Sequence, residues 1–157
     1  MLLVPEALWE SLIDLFQETR RRVEQVAYLD GVESTVTRIV TTITIPNGAL
    51  REQSYRVPPD AMSEAGKHLR KHGLVRLAQV HTHPGSWVGH SPEDDRRAYS
   101  QERGAMSIVL PNYGRGEAML ADIGFHVREA DAWTRLSETE LPARFSFVPS
   151  LIDFRQR

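Results

Sequence analysis

The chain has 157 residues, the usual length of one domain, so we expect a single domain over residues 1–157. It has 19 Lys and Arg, 21 Asp and Glu and no Cys, and its net charge is −2; this excludes disulfides and thiolate nucleophiles and disfavours nucleic acid as a partner. No apolar stretch approaches the ~20 residues that span a bilayer, and the N-terminal MLLVPEALWESL has no basic leader, so we expect a cytoplasmic protein without a membrane segment.

The first quarter of the chain predicts one helix and two strands. Apolar residues recur at helical spacing over residues 5–22, which predicts an amphipathic helix. Strand-like residues follow over 25–29 and 34–45. The Asp30-Gly31 pair between them is typical of a two-residue turn, so we expect a β-hairpin.

The next segment predicts a strand, a second helix and another strand. A short strand is expected over residues 55–57. Pro59 and Asp60 favour the start of a helix, and Gly73 favours its end after His72. Residues 74–83 return to strand character.

Helices and strands continue to alternate in the second half. Ser91 and Pro92 favour the start of a third helix, expected to run to about Arg103 before Gly104. The remaining expected elements are strands over 105–110, 118–127 and 133–136, with a loop over 111–116.

This alternation predicts the fold class. We expect an α/β protein, a three-layer sandwich in which helices flank a central mixed β-sheet. The C-terminal segment 144–157 has two interpretations, a last strand and turn packed on the sheet or an exposed stripe that binds a partner. Its apolar residues are Phe145, Phe147, Leu151, Ile152 and Phe154.

The sequence around two histidines is typical of a metal site. If residues 77–83 are extended, His81 and His83 project from the same face, about 6.5 Å apart along the strand. A short loop after Pro84 can bring Asp94, in the first turn of the next helix, to the same point. Two imidazoles and a carboxylate without a thiolate indicate an open zinc site, which suits hydrolysis.

The same residues also have ordinary interpretations. Ser91 and Asp94 match a helix N-cap. Glu24 is a candidate base, but its position at the end of a helix by itself favours a surface acid paired with neighbouring arginines. Trp87 and Tyr113 can line a substrate channel or simply pack their loops.

Further histidines and acids offer weaker candidates. His90 and Asp95 are alternatives to the expected ligands, and His90 can also carry a proton. Glu64, His68 and His72 share one helical face, which is more typical of a solvated surface than of a metal site.

Two motifs together resemble a known family. The first motif spans residues 81–94 and consists of His-Thr-His-Pro, six further residues and Ser-x-x-Asp. It resembles the signature of the JAMM (JAB1/MPN/Mov34) metalloproteases. The segment EQVAYLDG (24–31) resembles that family's Glu-x-x-Gly-x-Leu-x-Gly, although Ala27 stands where the family has glycine. The resemblance extends over about 24–122, and SIVLPNYG (107–114) is similar to the compact bacterial members.

This resemblance implies a JAB/MPN-like, cytidine-deaminase-like architecture and assigns roles to individual residues. His81, His83 and Asp94 would hold one zinc ion, Glu24 would be the general base, and the Ser91 hydroxyl would help to hold the tetrahedral intermediate. Trp87 and Tyr113 are the tentative substrate-binding residues.

The resemblance also implies a substrate class. Family members mostly cleave after the C-terminal Gly-Gly of ubiquitin or ubiquitin-like proteins. We expect an isopeptidase or peptidase of this kind, acting in precursor processing or deconjugation in a bacterial conjugation or antiphage defence pathway with E1-like and E2-like proteins. The alternatives are release of cysteine or another small amine from a sulfur-carrier conjugate, a non-catalytic module that binds a ubiquitin-like protein, and a RadC-like protein.

Overall fold

The computed structural model describes residues 1–19, 22–51, 54–116 and 118–152. The strands of this part are β1 (Leu2–Pro5), β2 (Val26–Glu33), β3 (Arg38–Thr44), β4 (Ala49–Arg51), β5 (Ser54–Arg56), β6 (Val75–Thr82), β7 (Met106–Leu110), β8 (Gly124–Arg128), β9 (Trp133–Arg135) and β10 (Phe145–Val148). Its α-helices are α1 (Glu6–Glu18), α2 (Pro59–His72), α3 (Pro92–Arg97) and α4 (Leu141–Arg144).

Eight strands form one mixed sheet in the order β10-β1-β3-β2-β6-β7-β8-β9, and β4 and β5 form a separate two-stranded sheet. The β1/β10, β1/β3 and β6/β7 pairs are parallel, and the other pairs of the large sheet are antiparallel. The predicted α/β class with a central mixed sheet is therefore confirmed.

Apolar side chains cover both faces of the centre of this sheet. Ala27 and Leu29 of β2 face the main core, to which α1 contributes Leu12 and Phe16. Because side chains alternate along a strand, Tyr28 faces the other way, into a smaller cluster that is packed against α2. Strands β2 and β6 are therefore packed between helices. The candidate site lies where β2 begins and β6 ends.

The predicted β-hairpin is confirmed, because β2 and β3 pair antiparallel, but the predicted position of its turn at Asp30-Gly31 is wrong. Strand β2 runs through both residues with a bulge and turns only at residues 34–37. The Asp30 side chain is buried and accepts a hydrogen bond from Arg76 Nε at 3.1 Å. A Cβ at position 31 would lie 2.0 Å from the Ile39 carbonyl oxygen, so this glycine permits close approach of two strands.

Three other predicted elements are shorter than expected. Helix α3 ends at Arg97 and not at 103, because the next residues serve tertiary contacts: the Tyr99 backbone N–H donates to Gln79 Oε1 at 3.1 Å. The strand expected from residue 118 begins only at Gly124, after a 3₁₀ turn over Leu120–Asp122. Helix α1 ends at Glu18, four residues before the predicted end.

The C-terminal segment joins the sheet through β10. Trp9 of α1 packs against Phe145 and Phe147, with ring centroids 6.5 and 5.4 Å apart. This confirms a last strand for residues 145–148, whereas Leu151 and Ile152 are exposed and Phe154 lies outside the described residues. In the described part of the chain, no helix has the length and apolar character needed to cross a membrane.

Candidate metal centre

The two histidines of the motif lie at the end of the central strand β6. This strand pairs with β2 on one side and β7 on the other, and His81 is opposite Val26. Alternation along the strand turns both imidazoles to the same side, with ring centroids 5.1 Å apart. His81 is fully buried, and His83 is 5% exposed at the edge of a cavity.

A capping box fixes the third side chain. The Asp94 backbone N–H donates to Ser91 Oγ at 3.1 Å, and Asp94 Oδ2 accepts from the Ser91 backbone N–H at 2.8 Å and from its hydroxyl at 2.6 Å. The helix-cap interpretation of these two residues is therefore confirmed. It also places the Asp94 carboxylate beside the histidines. The same carboxylate can therefore close the cap and bind a metal.

The donor atoms of the three side chains converge. The distance from His81 Nε2 to Asp94 Oδ1 is 3.5 Å, and from His83 Nε2 to Asp94 Oδ2 it is 3.3 Å. A tetrahedral zinc site with bonds of about 2.0–2.1 Å separates neighbouring ligand atoms by about 3.3 Å. Within the described residues, this trio is the group whose ligand atoms lie close enough together, within 4.8 Å, to share an ion.

The hydrogen bonding of His83 fits a metal, whereas in His81 Nδ1 lies 3.4 Å from the Gln79 amide nitrogen and Nε2 has no hydrogen-bond partner among the described residues. This Nε2 is buried, an arrangement that is costly unless something binds there. His83 Nδ1 lies 3.0 Å from the Trp87 carbonyl oxygen, to which it donates, so its Nε2 carries the lone pair and faces Asp94.

The electrostatics favour the protonation states that metal binding needs at His81 and Asp94, but not at His83. Burial lowers the pKa of His81 to about 3, which keeps this imidazole neutral. Burial alone would raise the pKa of Asp94, but hydrogen bonds from His83 and Ser91 and the nearby His81 hold it well below its usual range. For His83, burial lowers the pKa, yet its contacts with Asp94 outweigh this and raise it, so a metal would compete with a proton there.

Glu24 lines a cavity of about 230 Å³ together with His83 and Asp94. It lies just before β2 and is 7% exposed. The adjacent Gln25 holds this end of the chain on β6, because its N–H donates to Thr82 Oγ1 at 3.0 Å and its carbonyl accepts from Thr82 N–H at 3.0 Å. The buried location disfavours the interpretation of Glu24 as a solvated acid.

Burial raises the pKa of Glu24 to about 7; the positive charge of His83 lowers it and the negative charge of Asp94 raises it. Between about pH 4.5 and 7 the folded protein holds a proton on Glu24 that the unfolded chain has lost, so this group costs stability as pH rises. We expect Glu24→Gln to stabilise the metal-free protein by on the order of 1 kcal/mol more at pH 8 than at pH 5, after discounting for solvent in the cavity.

Urea unfolding of the metal-free protein at both pH values measures this difference. Glu18→Gln is the matched control, because Glu18 is exposed at the end of α1. An equal effect of Glu24→Gln at both pH values would show that the Glu24 pKa is not raised.

The structure gives the three other predicted site residues different contacts with the candidate site. Trp87 lines the cavity, is 59% exposed, and stacks on His83 with ring centroids 5.1 Å apart and planes 12° apart. Ser91 also lines the cavity, but both bonds of its hydroxyl go to Asp94. Tyr113 adopts positive φ next to the site, and its backbone N–H donates to the His83 carbonyl oxygen at 2.7 Å. Substrate contact by Trp87 and Tyr113 stays a prediction.

Two cavity residues carried no signal in the sequence. Tyr55 of β5 lines the cavity, and its hydroxyl accepts from Gln79 Nε2 at 3.0 Å. Arg97 donates to the Tyr55 carbonyl oxygen at 2.6 Å and pairs with Glu93 at 2.5 Å. Tyr55 reaches the site only through folding, because it lies far from both motifs in the sequence, whereas Arg97 lies in the same helix as Asp94.

The weaker candidates lie elsewhere. His90 has both ring nitrogens within hydrogen-bond distance of Asp95 and Ser107, so neither faces the three converging side chains. His68 and His72 contact each other on the exposed side of α2, with ring centroids 4.4 Å apart and planes tilted by 45°.

The chain is similar to a curated protein in sequence and to a solved structure in fold. No protein-family model matches the chain. A curated relative named probable metalloprotease y4jG, from Sinorhizobium fredii, is 34% identical over 86 residues, which cover 54% of this chain and 52% of that protein. The chain thus spans about half the length of this relative.

Among solved structures, the solution structure of protein DSY2949 from Desulfitobacterium hafniense is similar in fold. The TM-score is 0.73 at 17% identity, and the match covers 96% of this chain and 95% of that one. This likeness shows the fold alone.

Proposed function

We propose that this protein is a metal-dependent hydrolase with one zinc ion at His81, His83 and Asp94. The observation that carries the proposal is the buried, unpartnered Nε2 of His81, which faces a carboxylate oxygen at a distance that zinc ligands have. The probable-metalloprotease name of the relative agrees with this reading. Nitrogen and oxygen ligands without thiolate are compatible with other divalent ions, but zinc is the usual ion of open hydrolytic sites.

In the proposed hydrolysis, individual side chains of the protein have different roles. A bound zinc ion supplies Lewis-acid polarisation of the carbonyl group under attack. Glu24, with its pKa near 7, accepts a proton from the attacking water and returns it to the leaving amine. Ser91 holds the Asp94 carboxylate, and a rotation of its hydroxyl would let it donate to the developing oxyanion.

We further propose the JAMM-type activity, cleavage after the Gly-Gly tail of a ubiquitin-like protein. The motif and the burial of Glu24 beside the histidines support it. So does the size of the cavity, since about 230 Å³ is less than the ~300–1,000 Å³ of typical ligand pockets. Such a space takes an extended chain with glycine near the scissile bond more readily than one with bulky side chains.

The setting of this activity follows from the same resemblance. We propose that residues 1–157 act as one catalytic domain in the cytoplasm. The substrate would be a ubiquitin-like precursor or conjugate, in a bacterial conjugation or antiphage defence pathway with E1-like and E2-like proteins.

Arg97 favours a second candidate within the same chemistry. Its guanidinium lines the cavity, and beyond its bonds to Tyr55 and Glu93 it has further N–H donors. These can bind the carboxylate of an amino acid leaving group, as in release of cysteine from a sulfur-carrier conjugate.

The test is cleavage of a ubiquitin-like protein with an intact Gly-Gly tail by the zinc-loaded protein. The three substrates carry a linear protein fusion, a lysine isopeptide or a single cysteine after the tail, and a Gly-Val tail is the control. We expect cleavage after Gly-Gly, at least 100-fold faster than after Gly-Val. Preference for the cysteine adduct would select the second candidate; binding of the tail without cleavage of any substrate would indicate a non-catalytic module.

A further inference from the structure

A hydrogen-bonded link, buried at His90 and Ser107 and half-exposed at Asp95, joins α3 to the sheet directly behind the candidate metal centre. His90 Nδ1 lies 2.8 Å from Asp95 Oδ1 in the first turn of α3, and its Nε2 lies 2.9 Å from Ser107 Oγ on β7. Because a carboxylate oxygen accepts, Nδ1 donates to Asp95, and Nε2 of the neutral ring accepts from the Ser107 hydroxyl. We name these three residues the His90 clamp.

The imidazole of the clamp and its partner on β7 are buried, and aromatic rings pack around the imidazole. The His90 side chain is 4% exposed, and Ser107 is fully buried. The ring centroid of His90 lies 4.8 Å from those of His126 and Trp133, and 5.6 Å from that of His81. The imidazole therefore cannot turn away from its two partners without leaving a void among these rings.

Helix α3 needs such a link. It has only six residues, too few for a stable helix by propensity alone, so tertiary contacts decide where its first turn lies. That turn carries Asp94, whose oxygens must stand about 3.3 Å from two histidine nitrogens that β6 holds in place. The capping box joins Asp94 to Ser91 within the same segment and does not attach the segment to the sheet.

We propose that His90 is a positioning residue for the metal centre. Through Asp95 it holds the first turn of α3, and through Ser107 it ties that turn to β7, the strand next to β6. The Asp95 backbone N–H also donates to the Ser91 carbonyl oxygen at 3.0 Å, so the clamp and the cap form one unit. The proposal rests on the proposed metal site but not on its substrate.

Measurements of metal affinity test the proposed positioning role of His90. Zinc and cobalt dissociation constants are measured by chelator competition for wild type and for Asp95→Ala, Asp95→Asn and His90→Phe. We expect Asp95→Ala and His90→Phe to bind 10- to 100-fold more weakly, the loss typical when a partner behind a metal ligand is removed. Asp95→Asn should bind nearly as wild type does, because its amide oxygen still accepts from Nδ1. Asp131→Ala and His68→Phe, at exposed positions, are the matched controls.

The visible spectrum of the cobalt-saturated protein separates positioning from general stability. A displaced Asp94 changes the ligand field, so the d–d bands of Asp95→Ala should shift, whereas a variant that is only less stable keeps the wild-type bands. Wild-type affinity and bands in Asp95→Ala would overturn the proposal, as would equal weakening by Asp95→Ala and Asp95→Asn. If circular dichroism shows that His90→Phe does not fold, the two Asp95 variants test the proposal. Asp95 is half-exposed, so these variants should fold.

A wild-type protein that binds neither metal would overturn the proposed function, and with it the role of His90. Normal metal binding without cleavage of any Gly-Gly substrate would overturn the substrate proposal and leave the clamp supported by its own measurements.

Discussion

Replacing His83 with alanine is expected to weaken zinc binding by on the order of 100- to 1,000-fold and to remove hydrolysis with it. A four-ligand zinc site contributes about 10–16 kcal/mol, which is about 2.5–4 kcal/mol for each ligand. His83 is the proposed ligand to change, because it lies at the cavity edge and its loss leaves the Ser91–Asp94 cap in place. Inductively coupled plasma mass spectrometry and chelator competition measure the loss.

His68→Ala is the matched control, because it removes an exposed histidine on α2. Asp94→Asn is a second variant that removes the negative charge while keeping oxygen and shape. Binding by Asp94→Asn should fall to a similar extent, because zinc prefers an anionic oxygen. Full zinc content in His83→Ala would place the ion away from this trio, and the proposed centre would then be wrong.

The part of the site that sequence predicts is the part that local geometry determines. The His-x-His spacing on a strand places His81 and His83 on one face whatever the rest of the chain does, and the cap places Asp94 in the first turn of a helix. Their convergence in the structure follows from these two local rules and a short loop. No local rule of this kind places Glu24 near the histidines. Only the resemblance to the family motif relates Glu24 to His81, 57 positions downstream.

The errors and omissions have their cause in contacts between distant residues. Asp30-Gly31 is a turn by local preference, yet Arg76, 46 positions away, pairs with Asp30 and keeps it within β2. The His90 clamp escapes sequence analysis for the same reason, because Ser107 becomes its partner only when β7 lies beside β6. Tertiary contacts override local preference at these positions, as they often do near functional sites.

Replacing Glu24 with glutamine is expected to slow cleavage of a Gly-Gly substrate by about 100- to 10,000-fold without loss of zinc, the range typical for removing a general base. Glutamine keeps the size of the side chain and removes its ability to accept the proton. Since Glu24 lies beside His83 and Asp94 but is not one of the converging trio, the zinc content should stay that of the wild type. Glu18→Gln, at an exposed position, should leave both quantities unchanged.

The comparison of rate and metal content in Glu24→Gln distinguishes the two roles that a buried acid can have here. A base is needed only for turnover, so its loss lowers kcat and leaves zinc affinity alone. A ligand or a support of the ligands is needed before turnover, so its loss lowers zinc affinity first. Wild-type rates in Glu24→Gln would remove this carboxylate from the reaction, and a rate loss that extra zinc restores would make it part of the metal site instead.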